Sequence, residues 1–168
     1  DKLTLGNFAN TLSVANIESI VGGTGADNST LTAELTGSSS IDLGVGADSL
    51  TLGNFGNTGT VSNVESILGG TDADTITYAT QVVNATINLA AGDDTLTLGD
   101  FVNSAAVFNV ESLLGGSLGD TITLGAAASN IKIDLSSGND KLTLGAFTNV
   151  LTVSNVETMV GGVTADTV

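Results

Sequence analysis

Residues 1–6 read DKLTLG, and residues 140–145 repeat the same six letters. Between them stand DSLTLG at 48–53 and DTLTLG at 94–99. In each copy apolar and polar side chains alternate, as Leu96 and Leu98 do with Thr95 and Thr97. A period of two is the mark of a strand with one face buried. The copies begin at Asp1, Asp48, Asp94 and Asp140. They divide the chain into repeats 1–47, 48–93, 94–139 and a truncated 140–168. A fixed period of 46–47 residues points to a solenoid, a propeller or a tandem array.

Other positions keep step with these copies. Phe8, Phe55, Phe101 and Phe147 recur, as do Asn10, Asn57, Asn103 and Asn149. The tetrads NIES (16–19), NVES (63–66), NVES (109–112) and NVET (155–158) each lead into a double glycine. After that glycine pair comes a second D-x-U-x-U, where U is apolar: DTITY at 74–78 and DTITL at 120–124. In the first repeat it reads DNSTL (27–31), with Ser29 at the first apolar slot. Spacings between these aspartates alternate between 26 and 20–21 residues. The expected unit is therefore a rung of 20–26 residues, two unequal rungs making one repeat.

One such rung cannot bury its own apolar face, whereas stacked rungs can. The fold expected is all-β, a right-handed parallel β-solenoid of β-helix or β-roll type with alternating long and short rungs. A propeller of four-stranded blades competes at this period. It usually carries more aromatic residues and hairpin turns, and fewer than four repeats are few for closure. In a solenoid a residue stacks on its counterparts in nearby rungs, so repetition specifies ladders of Leu inside and Thr outside.

Composition narrows the function. The chain has no Cys, His, Pro or Trp, and 18 acidic residues against 3 basic ones give a net charge of −15. Such a chain is a poor partner for nucleic acid, which is bound through Lys and Arg. Its apolar stretches are far too short to cross a bilayer as helices. Without His and Cys the commonest general base and the thiolate nucleophile are missing. No G-x-S-x-G motif is present either. An enzyme is not expected.

Cations suit the acidic surplus. Asp1, Asp27, Asp48, Asp74, Asp94, Asp120, Asp140 and Asp166 occupy the same place in every expected rung. Carboxylates stacked about 4.8 Å apart repel by about 1 kcal/mol per pair in water, and by more near protein. Two remedies are open. The carboxylates can cap backbone N–H groups of the turns, or a cation can bind them. The turns before them include GGTGAD (22–27), GGTDAD (69–74), GVGAD (44–48), AAGDD (90–94) and SSGND (136–140). Glycine lets a turn aim its carbonyls at one point, and carbonyl with carboxylate is a calcium donor set. Asp72 and Asp93 add carboxylates to two of these turns.

GGTGADNST resembles the nonapeptide G-G-x-G-x-D-x-U-x of RTX, or hemolysin-type, calcium-binding repeats. INLAAGDDTLTLG and IDLSSGNDKLTLG resemble strand–turn–strand units of the same family. The resemblance implies Ca²⁺ between stacked turns. Its candidate ligands are Asp27, Asp48, Asp72, Asp74, Asp93, Asp94, Asp120 and Asp140, with Gly22, Gly25, Gly46, Gly92 and Gly138 supplying the turns. It also implies a secreted, calcium-stabilised structural module on a bacterial surface, in an S-layer, a filament or a large adhesin. Partners expected on that reading are calcium ions, neighbouring repeats or other copies of the chain, and cell-surface polysaccharide. The competing reading is a ligand-binding module that recognises polysaccharide or ice through an outward Thr/Asn face. Thr30, Thr51, Thr77, Thr97, Thr123 and Thr143 would form that face.

Overall fold

The computed structural model describes all residues, 1–168. It is all-β. Eighteen short strands run in sequence from β1 (Lys2–Thr4) and β2 (Thr11–Val14) to β17 (Val150–Ser154) and β18 (Thr158–Val160). Odd-numbered strands form one nine-stranded sheet and even-numbered strands the other. Every pairing is parallel, and each strand pairs with those two before and two after it in the chain. The molecule is a two-sheet β-solenoid, the roll of the two types expected. At about 4.8 Å per strand, nine strands make a rod of about 38 Å.

The rungs differ from those the aspartate spacing suggested. Stacked positions are 17 or 20–21 residues apart: Lys2 pairs with Ser19, Ser19 with Ser40, Thr75 with Thr95 and Thr95 with Ser112. Repeat 48–93 contains β6 (Ser49–Thr51), β7 (Thr58–Ser62), β8 (Ser66–Leu68), β9 (Thr75–Tyr78) and β10 (Ala85–Asn88). A repeat thus holds five strands, or two and a half rungs. The strand that the sequence expectation lacks is the one that follows each Phe-x-Asn. In β7 and in β12 (Ser104–Phe108) the inward residues Gly59 and Ala105 are small, so the alternation is faint.

An odd number of strands in a two-sheet roll sends successive repeats to opposite sheets. The four DxLTLG copies are β1, β6, β11 (Thr95–Thr97) and β16 (Lys141–Thr143), which alternate between the odd and even sheets. A residue therefore does not stack on its own copy one repeat away. The inward ladder through Leu96 runs Ile76, Leu96, Leu113, Ile133 and Val153. Such mixed ladders build a single core of 31 buried apolar residues, each Leu or Ile contributing about 1.5–3 kcal/mol by leaving water. The even sheet's ladder has one flaw. Ser29 sits inward between Leu12 and Leu50, fully buried, with its hydroxyl unpartnered.

Candidate functional site

The two long edges of the roll, where the chain turns from one sheet to the other, carry the candidate aspartates. Asp27, Asp48, Asp120 and Asp140 lie just before even strands, and Asp74 and Asp94 just before odd ones. The aspartates expected as one column are thus split between the edges, in pairs one rung apart. These six are all buried. What stacks with each pair is an Asn on one side and a Glu on the other.

Their hydrogen bonds run along the edge. Asn57 N–H donates to Asp74 Oδ1 at 2.9 Å, Asp74 N–H to Asp94 Oδ1 at 2.7 Å, and Asp94 N–H to Glu111 Oε2 at 2.8 Å. One rung earlier, Leu35 N–H donates to Asn57 Oδ1 at 3.0 Å. Each side chain caps the backbone of the preceding rung. The same ladder joins Val82, Asn103, Asp120, Asp140 and Glu157 on the other edge. Asn10, Asp27, Asp48 and Glu65 form a third copy. The amide of each Asn also fixes the Phe turn. Asn57 Nδ2 donates to the carbonyls of Gly53 and Phe55 and to Asp74 Oδ1. These bonds are the capping remedy for the stacked carboxylates, because each negative charge faces an N–H dipole instead of a bare neighbour.

The candidate glycines serve the ladder through their size. A Cβ on Gly46, Gly92 or Gly138 would stand 2.6, 2.8 or 2.9 Å from Oδ1 of the Asp two residues on. Gly22 lies against the backbone of Leu43, and Gly25 against Phe8 and Ala9, in neighbouring rungs. Of these five only Gly92 has a positive φ, +149°.

The second carboxylate oxygen divides the aspartates. Oδ2 of Asp74 accepts Gly70 N–H at 3.4 Å, and Oδ2 of Asp120 accepts Gly116 N–H at 3.3 Å. Oδ2 of Asp27, Asp48, Asp94 and Asp140 is buried with no partner. Burial disfavours the charged form. It raises Asp48 and Asp140, and pushes Asp94 up to about 6, with the charges of stacked neighbours adding to the shift. Asp134, at the end of β15 (Ser129–Asp134) in the odd sheet, is lowered by hydrogen bonds from Asn155 and from Ser136 N–H.

The buried candidate calcium ligands lie in pairs along the edges. Ca²⁺ takes six to eight oxygens, whereas no three acidic side chains converge to hold a metal. The Oδ1 atoms are occupied by N–H donors. The turn carbonyl of Gly23 accepts Val45 N–H, and that of Gly70 accepts Ala91 N–H. Asp72 and Asp93 are exposed in the turns ahead of Asp74 and Asp94.

The expected threonine face is also divided. Thr77 and Thr97 are neighbours on the odd sheet, while Thr30 pairs with Thr51 and Thr123 with Thr143 on the even sheet. A denser array lies on the odd sheet, where Thr58, Thr75 and Thr95 stack beside Thr60, Thr77 and Thr97. Thr58 and Thr60 belong to the strand the sequence did not reveal. The four corner phenylalanines lie over the glycine two residues back and remain exposed, Phe8 most of all. Compared with family models, curated proteins and solved structures, the chain matches none.

Proposed function

We propose that the chain is a rigid structural module of an extracellular bacterial surface assembly, such as an S-layer, a filament or a large adhesin. The supporting observation is the edge ladder. Rungs are tied to one another by strand pairing in both sheets, and runs of side chain–backbone bonds along the edges reinforce that pairing. Regular backbone and side-chain ladders of this kind resist bending and proteolysis, as a spacer requires. On this reading the ladder itself stabilises the fold. Calcium contributes through exposed carboxylates such as Asp72 and Asp93, in the way that any cation relieves a charge of −15.

Circular dichroism and protease resistance in EDTA, in Mg²⁺ and in Ca²⁺ test the reading. The chain is expected to be β-rich and protease-resistant in EDTA, with Ca²⁺ and Mg²⁺ raising the melting temperature alike. A chain that is unfolded in EDTA and folds only with Ca²⁺ would overturn the self-supporting ladder. It would put ion-coupled folding in its place.

A further inference from the structure

Positions shared by all repeats are explained by stacking. A departure confined to one repeat is not, and three such departures meet on the outer face of the even sheet. Residues 104–108 read SAAVF, against TLSVA at 11–15, TGTVS at 58–62 and VLTVS at 150–154. Ala106 stands where the other repeats have Ser13, Thr60 and Thr152, and Phe108 where they have Ala15, Ser62 and Ser154. Gly125 stands where Thr32 and Ala79 follow the equivalent strands. The three changes are physically linked. A Cβ on Gly125 would stand 2.1 Å from the Phe108 ring. The ring therefore occupies space that only glycine leaves open.

Beside that ring the face is hollowed. Ala106 pairs with Thr86 on one side and Thr123 on the other, and its missing hydroxyl opens a shallow groove of about 270 Å³. Asn84, Ser104 and Thr121 line the same groove. Asn84 uses its backbone N–H and its Oδ1 on the Ser104 hydroxyl, so its Nδ2 has no intramolecular partner. Phe108 lies two residues further along the same face, about 7 Å from Ala106, and is partly exposed. The lining has no formal charge, and none of the nine even-sheet strands contains an acidic residue. In a chain of net charge −15 that is the face on which an uncharged partner meets least unfavourable desolvation. A groove somewhat under the roughly 300 Å³ of the smaller drug-sized sites fits one ring. Hydroxyl and amide groups beside an aromatic ring match a molecule with polar edges and an apolar ring face.

We propose that this groove is a subsite for one neutral pyranose ring of an extracellular polysaccharide. The ring stacks on Phe108, with Thr86 and Thr123 bonding its hydroxyls; Asn84, level with Ser104 and about 13 Å from Phe108 along the strands, is left to the adjoining sugar of the same polysaccharide. The inference stands apart from the structural reading, since a spacer needs no groove.

The test is amide chemical-shift titration of the whole chain with maltohexaose, cellohexaose, free glucose and an oligogalacturonate. At least one neutral hexasaccharide is expected to shift Thr86, Ala106 and Thr123, with a Kd of about 1 mM or tighter. The anionic oligogalacturonate is expected to bind far more weakly. Phe108→Ala removes the platform, and Ala106→Thr restores the residue of the other repeats and fills the groove. Each should weaken binding about tenfold or more, while Thr60→Ala on the odd sheet should leave it unchanged. Ala106→Thr adds only what sister repeats already carry, so an unaltered melting curve is expected to accompany its loss of binding. Binding by no neutral hexasaccharide, or undiminished binding to Ala106→Thr, would overturn the proposal. Binding of free glucose with no gain for either hexasaccharide would overturn its polysaccharide part.

Discussion

Asp74 and Asp94 stand one rung apart on the same edge, equally buried, and each accepts a backbone N–H from the rung before. Yet Asp74 has a glycine N–H for its second oxygen, while the second oxygen of Asp94 has nothing. The difference lies in the preceding turn. GGTDAD brings Gly70 N–H around to the carboxylate four residues on, whereas AAGDD offers no such donor. The repeat therefore contains two kinds of aspartate that a sequence pattern writes identically. One is fully bonded as an anion, and the other is bonded on one side only. Asp27 shows that the double glycine alone is not enough. Its own pair, Gly22 and Gly23, is drawn into strand β3 (Ser19–Gly23), where Gly23 pairs with Gly44, and Asp27 Oδ2 is left without a partner.

The sharpest way to break this comparison is to make the same substitution at both places. Asp74→Asn keeps an acceptor for Asn57 but turns an amide N–H toward Gly70 N–H. A buried donor left without an acceptor costs about 1–3 kcal/mol, so thermal unfolding should shift down by several degrees. Asp94→Asn keeps the acceptor for Asp74 N–H; its Nδ2 also lacks a partner, but an unpartnered neutral amide costs less to bury than the unpartnered charge it replaces. At neutral pH its midpoint should rise, by about 2–4 °C for each kcal/mol gained. Equal losses in the two variants would show that the unpartnered oxygen carries no penalty and that the two aspartates are alike.

Proton linkage gives the next effect. The folded-state values of Asp48, Asp94 and Asp140 lie above the ordinary 3.8, that of Asp94 at about 6. A raised carboxyl binds its proton more tightly in the folded chain. The chain should therefore gain stability as pH falls through about 6, with the gain complete near 3.8. Below that range Asp134 opposes the trend. Its carboxylate is held below 3.8, and the stability it lends above that pH is lost as it protonates. Melting temperatures measured from about pH 7.5 to about pH 5 should climb in the parent chain. They should climb less in Asp94→Asn. A flat or falling profile would mean that the unpartnered carboxylates are not strained when charged.

The sequence revealed the fold through alternation and repetition, and it revealed the aspartates as the costly positions. It hid the half-rung, because a repeat period counts residues between copies while a rung is set by hydrogen-bond register. With the strand around Gly59 and Ala105 faint, five strands looked like two rungs. The ladder was hidden for the same reason. Asn57, Asp74, Asp94 and Glu111 are 17–20 residues apart along the chain, and only the true register shows that they touch. The two kinds of aspartate were partly legible. Every fully bonded one follows a double glycine, although Asp27 shows that the signal is incomplete without the backbone.

The smallest effect separates burial from charge at Asp94. Glu111 accepts Asp94 N–H through Oε2, and its negative charge helps to raise the Asp94 carboxyl. Glu111→Gln keeps an oxygen in place to accept that bond and removes only the charge. The Asp94 midpoint, followed by NMR of its side-chain carboxyl carbon, should move down. It should remain above 3.8, because burial is the largest cause of the shift and the substitution leaves burial unchanged. Thermal stability at neutral pH should rise by less than in Asp94→Asn, because a partly exposed charge interacts through a more polarisable surround. If the midpoint fell all the way to the ordinary value, neighbouring charge would be the dominant cause. The contrast between Asp74 and Asp94 would then rest on the acidic neighbours of each ladder and not on the missing glycine donor.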